Sequence, residues 1–89
     1  MKVVEVKIID PAGLHARPAK KIANESSKYS SDITFNCNGN IGNAKSVISL
    51  MAAFLSVKSS NKVEIVAKGL DEEDAIEGIK KVMKEEKLI

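Results

Sequence analysis

Three short stretches of the sequence alternate apolar with polar residues, and this limits the fold more than any other feature of the chain. Val4, Val6 and Ile8 alternate with Glu5 and Lys7; Ile33, Phe35 and Cys37 with Asp32, Thr34 and Asn36; Val63, Ile65 and Ala67 with Glu64 and Lys68. A period of two is that of a strand with one dry and one wet face. Asn38-Gly39 follows the second stretch, and both residues tolerate the positive φ of a two-residue hairpin turn, so a short fourth strand is expected over residues 40–44. Strands with one polar face cannot lie between two helical layers. The expected class is therefore α+β: a mostly antiparallel four-stranded sheet carrying three helices on one face.

The helices show in the spacing between the strands. The first strand, over residues 2–9, ends at Asp10-Pro11-Ala12-Gly13. After Pro18 a small apolar stripe of Ala19, Ile22, Ala23 and Ser26 opposes Lys20, Lys21, Asn24 and Lys28, which predicts an amphipathic helix over residues 16–28. Ser46 is a natural N-cap for a short helix over residues 47–55. The last segment opens on Asp71-Glu72-Glu73-Asp74, ends with Lys80, Lys81 and Lys84, and lines one side with Ile76, Ile79, Val82 and Met83; its charges complement a helix dipole at both ends. The order is β-α-β-β-α-β-α. No repeat, linker or low-complexity tract divides residues 1–89, so one domain is expected.

Composition removes several function classes. With 14 Lys+Arg against 12 Asp+Glu, and the lysines spread along the chain, no basic footprint for a nucleic acid is expected. Cys37 is the single cysteine, which rules out an internal disulfide, and one Cys with one His cannot make a structural zinc site, so neither a metal nor a cofactor is expected. The longest apolar stretch, Val47 to Val57, is broken by Ser49 and Ser56 and is far shorter than the ~20 residues of a membrane span. Met1-Lys2 leads straight into strand-like alternation instead of a signal sequence, so a cytoplasmic location is expected.

The chemistry gathers at one place. His15 is the only histidine and Arg17 the only arginine, and they stand two residues apart in Gly13-Leu14-His15-Ala16-Arg17-Pro18. Pro18 suits a first helical turn, so the imidazole precedes a helix N-terminus whose unpaired N–H groups, at Ala16, Arg17 and Pro18, form a cradle that favours a bound anion and a neutral ring. A neutral ring nitrogen can attack phosphorus, and a guanidinium fork suits the group then carried. The same residues also fit a surface histidine beside a solvated arginine. A hydrolase is disfavoured, because the sequence shows no second His, no paired Cys or Ser and no carboxylate pair to complete a catalytic set.

Over essentially its whole length the chain resembles HPr, the histidine-containing phosphocarrier of the bacterial phosphoenolpyruvate-dependent sugar phosphotransferase system. The resemblance is carried by Gly13-Leu14-His15-Ala16-Arg17-Pro18-Ala19 and by Asn43-Ala44-Lys45-Ser46-Val47-Ile48 with Leu50-Met51. It implies an open-faced β-sandwich, a phosphoryl acceptor at Nδ1 of His15, and phosphate stabilisation by Arg17. The expected product is a transfer intermediate more than a stand-alone enzyme. The implied partners are Enzyme I as donor and the A domains of sugar-specific enzymes II as receivers, with the carrier a monomer.

Ser46 has a purely structural reading as a cap. The second motif resembles the Gram-positive type, which implies phosphorylation by an HPr kinase/phosphorylase and an alternative main role, as a corepressor of a catabolite-control transcription factor. A third reading is an anion- or peptide-binding domain without phosphotransfer. The helix after Ser46 is apolar nearly all round, with Val47, Ile48 and Met51 on one arc and Leu50, Ala53 and Phe54 on another. The resemblance assigns the first arc to partner docking and the second to the core; separately, Lys20, Lys21 and Lys28 on the first helix would attract an acidic partner, and a solvated face explains them equally well. The chain departs from the family's common choices at Pro11-Ala12, Lys20, Asn40, Ser49 and Phe54. Phe54 replaces a frequent glycine and is expected either to crowd the phosphate or to enter the core.

Overall fold

The computed structural model describes residues 1–89, in the order β1 (Lys2–Lys7), α1 (Ala16–Ser26), β2 (Asp32–Cys37), β3 (Asn40–Asn43), α2 (Val47–Phe54), β4 (Lys62–Lys68) and α3 (Glu72–Glu85). The sheet runs β1-β4-β2-β3 and every neighbour is antiparallel. Ile33, Phe35, Cys37, Val63, Ile65 and Ala67 are buried beneath the helices. The opposite face carries no helix; there Glu5 lies opposite Glu64 and Lys7 opposite Lys62, and opposite charges meet on the diagonal, with Lys62 Nζ 3.7 Å from Glu5 Oε1. The alternation thus decides which face is dry.

Expected element ends differ by one or two residues. β1 stops at Lys7 instead of residue 9: Ile8 N–H still donates to the Asn61 carbonyl opposite it, but the Ile8 carbonyl accepts from Ser60 N–H, and Ile9 N–H leaves the ladder for the Leu88 carbonyl. α1 closes at Ser26, not at residue 28, with Ser27 as its C-cap. β3 and α2 each end one residue early, at Asn43 and Phe54. Asn38 and Gly39 have φ of 54° and 87°, the conformation that their turn requires.

α2 lies close over the hairpin. A side chain at Gly42 would stand 2.9 Å from the Ala53 Cβ, so the glycine lets α2 settle on β3. Leu50, Ala53 and Phe54 are buried in this contact, and the Phe54 ring sits 5.9 Å from Phe35 at 58°. Of the two expectations for Phe54, the structure shows the second: its ring is in the core. Cys37 lies in the same core, where burial pushes its thiol up to about 11 and leaves it a small apolar residue.

One polar clasp joins the start of β2 to the start of α3. The Asp71 carboxylate accepts from the Ser30 N–H at 2.9 Å, the Ser31 N–H at 3.0 Å and the Ser31 hydroxyl. These donors, the Ser31 hydroxyl first, hold Asp71 down at about 2 against an ordinary 3.8. A depressed acid stabilises the fold fully above its unfolded value and loses that contribution as pH falls through the folded one. Asp71→Asn is therefore expected to lower the urea midpoint at neutral pH. The gap to the parent protein should close between about pH 4 and pH 2, and a gap constant over that range would contradict the assignment.

Candidate functional site

His15 is the residue that precedes α1, in extended conformation at φ −139° and ψ −174°, and its side chain makes no cap bond to the helix. The first helical bond runs from the Ala19 N–H to the His15 carbonyl. The N–H groups of Ala16 and Arg17 consequently have no acceptor in the protein. Pro18 has no N–H to give, so its expected share in the cradle is corrected: it fixes the first turn and is buried, while Ala16 and Arg17 supply the donors.

The loop holding His15 is rigidly seated. Gly13 has φ of +69°, donates its N–H to the Asp10 carbonyl at 2.8 Å, and is so close to the loop after α2 that a Cβ would collide with the Val57 carbonyl oxygen. Leu14 is buried immediately beyond it. The chain is thereby turned outward at the next residue, and the His15 side chain keeps 48% of its surface exposed.

Two carboxylates meet this loop. Asp10 Oδ2 stands 3.8 Å from His15 Nε2, while Asp10 Oδ1 accepts the Ala12 N–H at 2.8 Å. Arg17 donates its Nε–H to Glu86 Oε1 at 3.2 Å, at the C-terminal end of α3, and is not paired with the imidazole. Neither acid is singled out by spacing. Asp10 has a local signal, since an Asp-Pro-Ala-Gly turn folds back on the residues after it; Glu86 has none, because only the packing of α3 on α1 brings it to Arg17.

On α2 the two arcs separate as expected. Leu50, Ala53 and Phe54 are buried, Ile48 is 83% exposed, Val47 is exposed and Met51 half-buried. Leu55, left without an arc in the sequence, is 85% exposed and lies seven residues beyond Ile48, on the same side of the helix. Ser46 caps the helix: its Oγ accepts the Ser49 N–H at 3.2 Å. Lys20 is exposed on α1.

Fold and site together define a class, a small α+β fold that presents an exposed histidine at the mouth of a helix instead of enclosing it in a pocket. Residues 3–85 match the family model for the PTS HPr component phosphorylation site. The chain is 41% identical to the phosphocarrier protein HPr of Mycoplasma pneumoniae over 90 residues, covering all of both chains, and 44% identical to that of Mycoplasma capricolum over 82 residues, covering 92% of this chain and 90% of the other. A solved histidine-containing phosphocarrier protein of a mycoplasma superposes with a TM-score of 0.92 at 41% identity, over 99% of this chain and 98% of that one. The chain belongs to the HPr family, the phosphocarriers of the phosphotransferase system. No helix is long and apolar enough to cross a membrane.

Proposed function

We propose that the chain takes a phosphoryl group onto Nδ1 of His15 from Enzyme I, charged by phosphoenolpyruvate, and passes it to the A domains of sugar-specific enzymes II. The observation that carries this reading is an exposed His15, beside two unclaimed amides, inside the segment matched by the HPr phosphorylation-site model. In the forward step the Nδ1 lone pair forms the bond to phosphorus as the bond to the donor breaks, and the donor keeps that electron pair. The Ala16 and Arg17 amides and the Arg17 guanidinium then face the new negative charge. Arg17 has to leave Glu86 to do so, an exchange of one anionic partner for another. No metal or deep pocket is needed, because phosphoryl transfer depends mainly on positioning and charge stabilisation.

The carrier works as a monomer in the cytoplasm, docking through Val47, Ile48 and Met51 with Lys20 contributing charge. Incubation with Enzyme I and radiolabelled phosphoenolpyruvate tests the reading: label that is acid-labile and maps to His15 supports it, and absence of label refutes it.

Ser46 is the regulatory site in this proposal, acted on by an HPr kinase/phosphorylase, with a catabolite-control transcription factor as a further partner of the modified form. Its place at the start of α2, next to the exposed Val47 and Ile48, supports the assignment. An anion there is compatible with the helix dipole, and Asp caps a helix as well as Ser does. Ser46→Asp is therefore expected to leave stability nearly unchanged. It should slow transfer from Enzyme I by about tenfold at low ionic strength, with the loss shrinking as salt screens the repulsion. Equal transfer rates for parent and variant would remove Ser46 from this role.

A further inference from the structure

We propose that Asp10 is a positioning residue for His15: its carboxylate receives the Nε2–H, leaving Nδ1 as the unprotonated, nucleophilic nitrogen, and it faces the positive ring once Nδ1 carries phosphorus. This inference deepens the phosphocarrier reading and rests on it.

The geometry comes from a carboxylate whose two oxygens have different work. Oδ1 is tied to the Ala12 N–H at 2.8 Å and the Asp10 carbonyl to the Gly13 N–H at 2.8 Å, so the turn fixes the direction of the acid. Pro11 stiffens the same turn and confines Asp10 to extended backbone. Oδ2 makes no bond to the backbone and stands 3.8 Å from Nε2, a gap that a small ring rotation closes to a hydrogen bond. Asp10 is also the more covered partner, at 22% of its side-chain surface against 48% for His15, so the ring is the part that moves.

The other carboxylate at this loop, Glu86, is taken by Arg17 and is not paired with the imidazole. Arg17 is a cation engaged by Glu86, and Lys58 belongs to the loop packed under Gly13, with its Cα 3.3 Å from where a Gly13 Cβ would be. Neither can accept a proton from Nε2. The Asp10 carboxylate is thus the one acceptor paired with the imidazole among these groups.

The chemistry requires no proton to move. A neutral ring with its hydrogen on Nε2 has its lone pair on Nδ1; when that pair bonds phosphorus and the donor departs with its own pair, the ring becomes an imidazolium whose N–H already points at Asp10. On onward transfer the N–P electron pair returns to Nδ1 and the ring is neutral again. Asp10 selects the reactive tautomer beforehand and balances the charge afterwards, which is how a carboxylate orients a catalytic histidine in other settings.

The test uses Asp10→Asn in the full chain. The amide oxygen keeps the bond from Ala12 N–H, so the turn persists, but an NH₂ group now faces Nε2 and favours the hydrogen on Nδ1. ¹⁵N spectra of the His15 ring in the unphosphorylated protein should show Nδ1 unprotonated in the parent and largely protonated in the variant. Phosphoryl acceptance should fall by about tenfold to a hundredfold, with little change in the concentration of Enzyme I needed for half-maximal rate. Asp10→Ser, which retains a side-chain acceptor for the turn and offers Nε2 no fixed amide donor, should fall between the two in both measurements. Identical ring spectra in parent and Asp10→Asn would overturn the proposal, as would an altered ring with an unaltered transfer rate. If the parent itself takes no phosphoryl group, the carrier reading fails, and the spectra still decide whether Asp10 sets the tautomer.

Discussion

Replacing His15 with Gln is expected to abolish phosphoryl uptake while leaving the fold intact. The side chain is half exposed, makes no cap bond to α1 and has no hydrogen-bond partner closer than the 3.8 Å approach to Asp10, so its loss should cost under ~0.5 kcal/mol, the usual scale for a surface substitution. Function is affected on another scale. His15 is the only histidine, and Gln offers no nucleophilic lone pair in its place, so acid-labile label from Enzyme I and phosphoenolpyruvate should drop by roughly a thousandfold or more. A urea denaturation curve matching that of the parent, together with lost label, is the expected result. Label retained by the variant would place the acceptor elsewhere and end the assignment to His15.

The largest effect on stability is expected from Phe54→Ala. Phe54 is 2% exposed, packs on Phe35 at 5.9 Å, and joins α2 to the hairpin at the point where Gly42 lets the helix come close. Truncation removes the transfer free energy of the ring, leaves a cavity and ends the aromatic pair, for a total of about 3–5 kcal/mol. A domain of this size has roughly 4–13 kcal/mol in all, so the variant is expected to retain little margin. Denaturant titration measures the loss directly; Phe54→Leu, which keeps most of the volume, should lose far less. A cost near zero for Phe54→Ala would mean that α2 settles on the sheet without its aromatic anchor.

The two variants fail in different ways because the site and the core lie on different links of the chain of cause. Alternation in three short stretches is enough for the sheet, its dry face and the side on which the helices lie, since each depends on residues close in sequence. The N-cap at Ser46, the hairpin at Asn38-Gly39 and the burial of Ala19, Ile22 and Ala23 are legible for the same reason. Strand and helix ends are less so: Ile8 continues the apolar pattern of β1, yet the N–H of the next residue, Ile9, is taken by Leu88 from the far end of the chain. Phe54 illustrates a choice that composition leaves open, because only the approach of α2 to β3 decides between core and site.

At the site, His15, Arg17 and the free amides are legible in one short motif. Its acidic partners are not. Glu86 reaches Arg17 across 69 positions, and Asp10 reaches the imidazole through a turn whose hydrogen bonds only the three-dimensional structure displays. The clasp of Asp71 on Ser30 and Ser31 spans about forty positions and is likewise absent from any local pattern.

The last residues of the chain are fastened beside the histidine loop, by Glu86 on Arg17 and by the Leu88 carbonyl on Ile9, whereas the Met1 amine sits by Glu72 at the start of α3. The molecule therefore has a busy pole and a quiet one, separated by the length of α3. A fluorophore, affinity handle or fused domain hung from Ile89 would overhang the imidazole and screen it from visitors. The same cargo attached ahead of Met1 would hang clear of it.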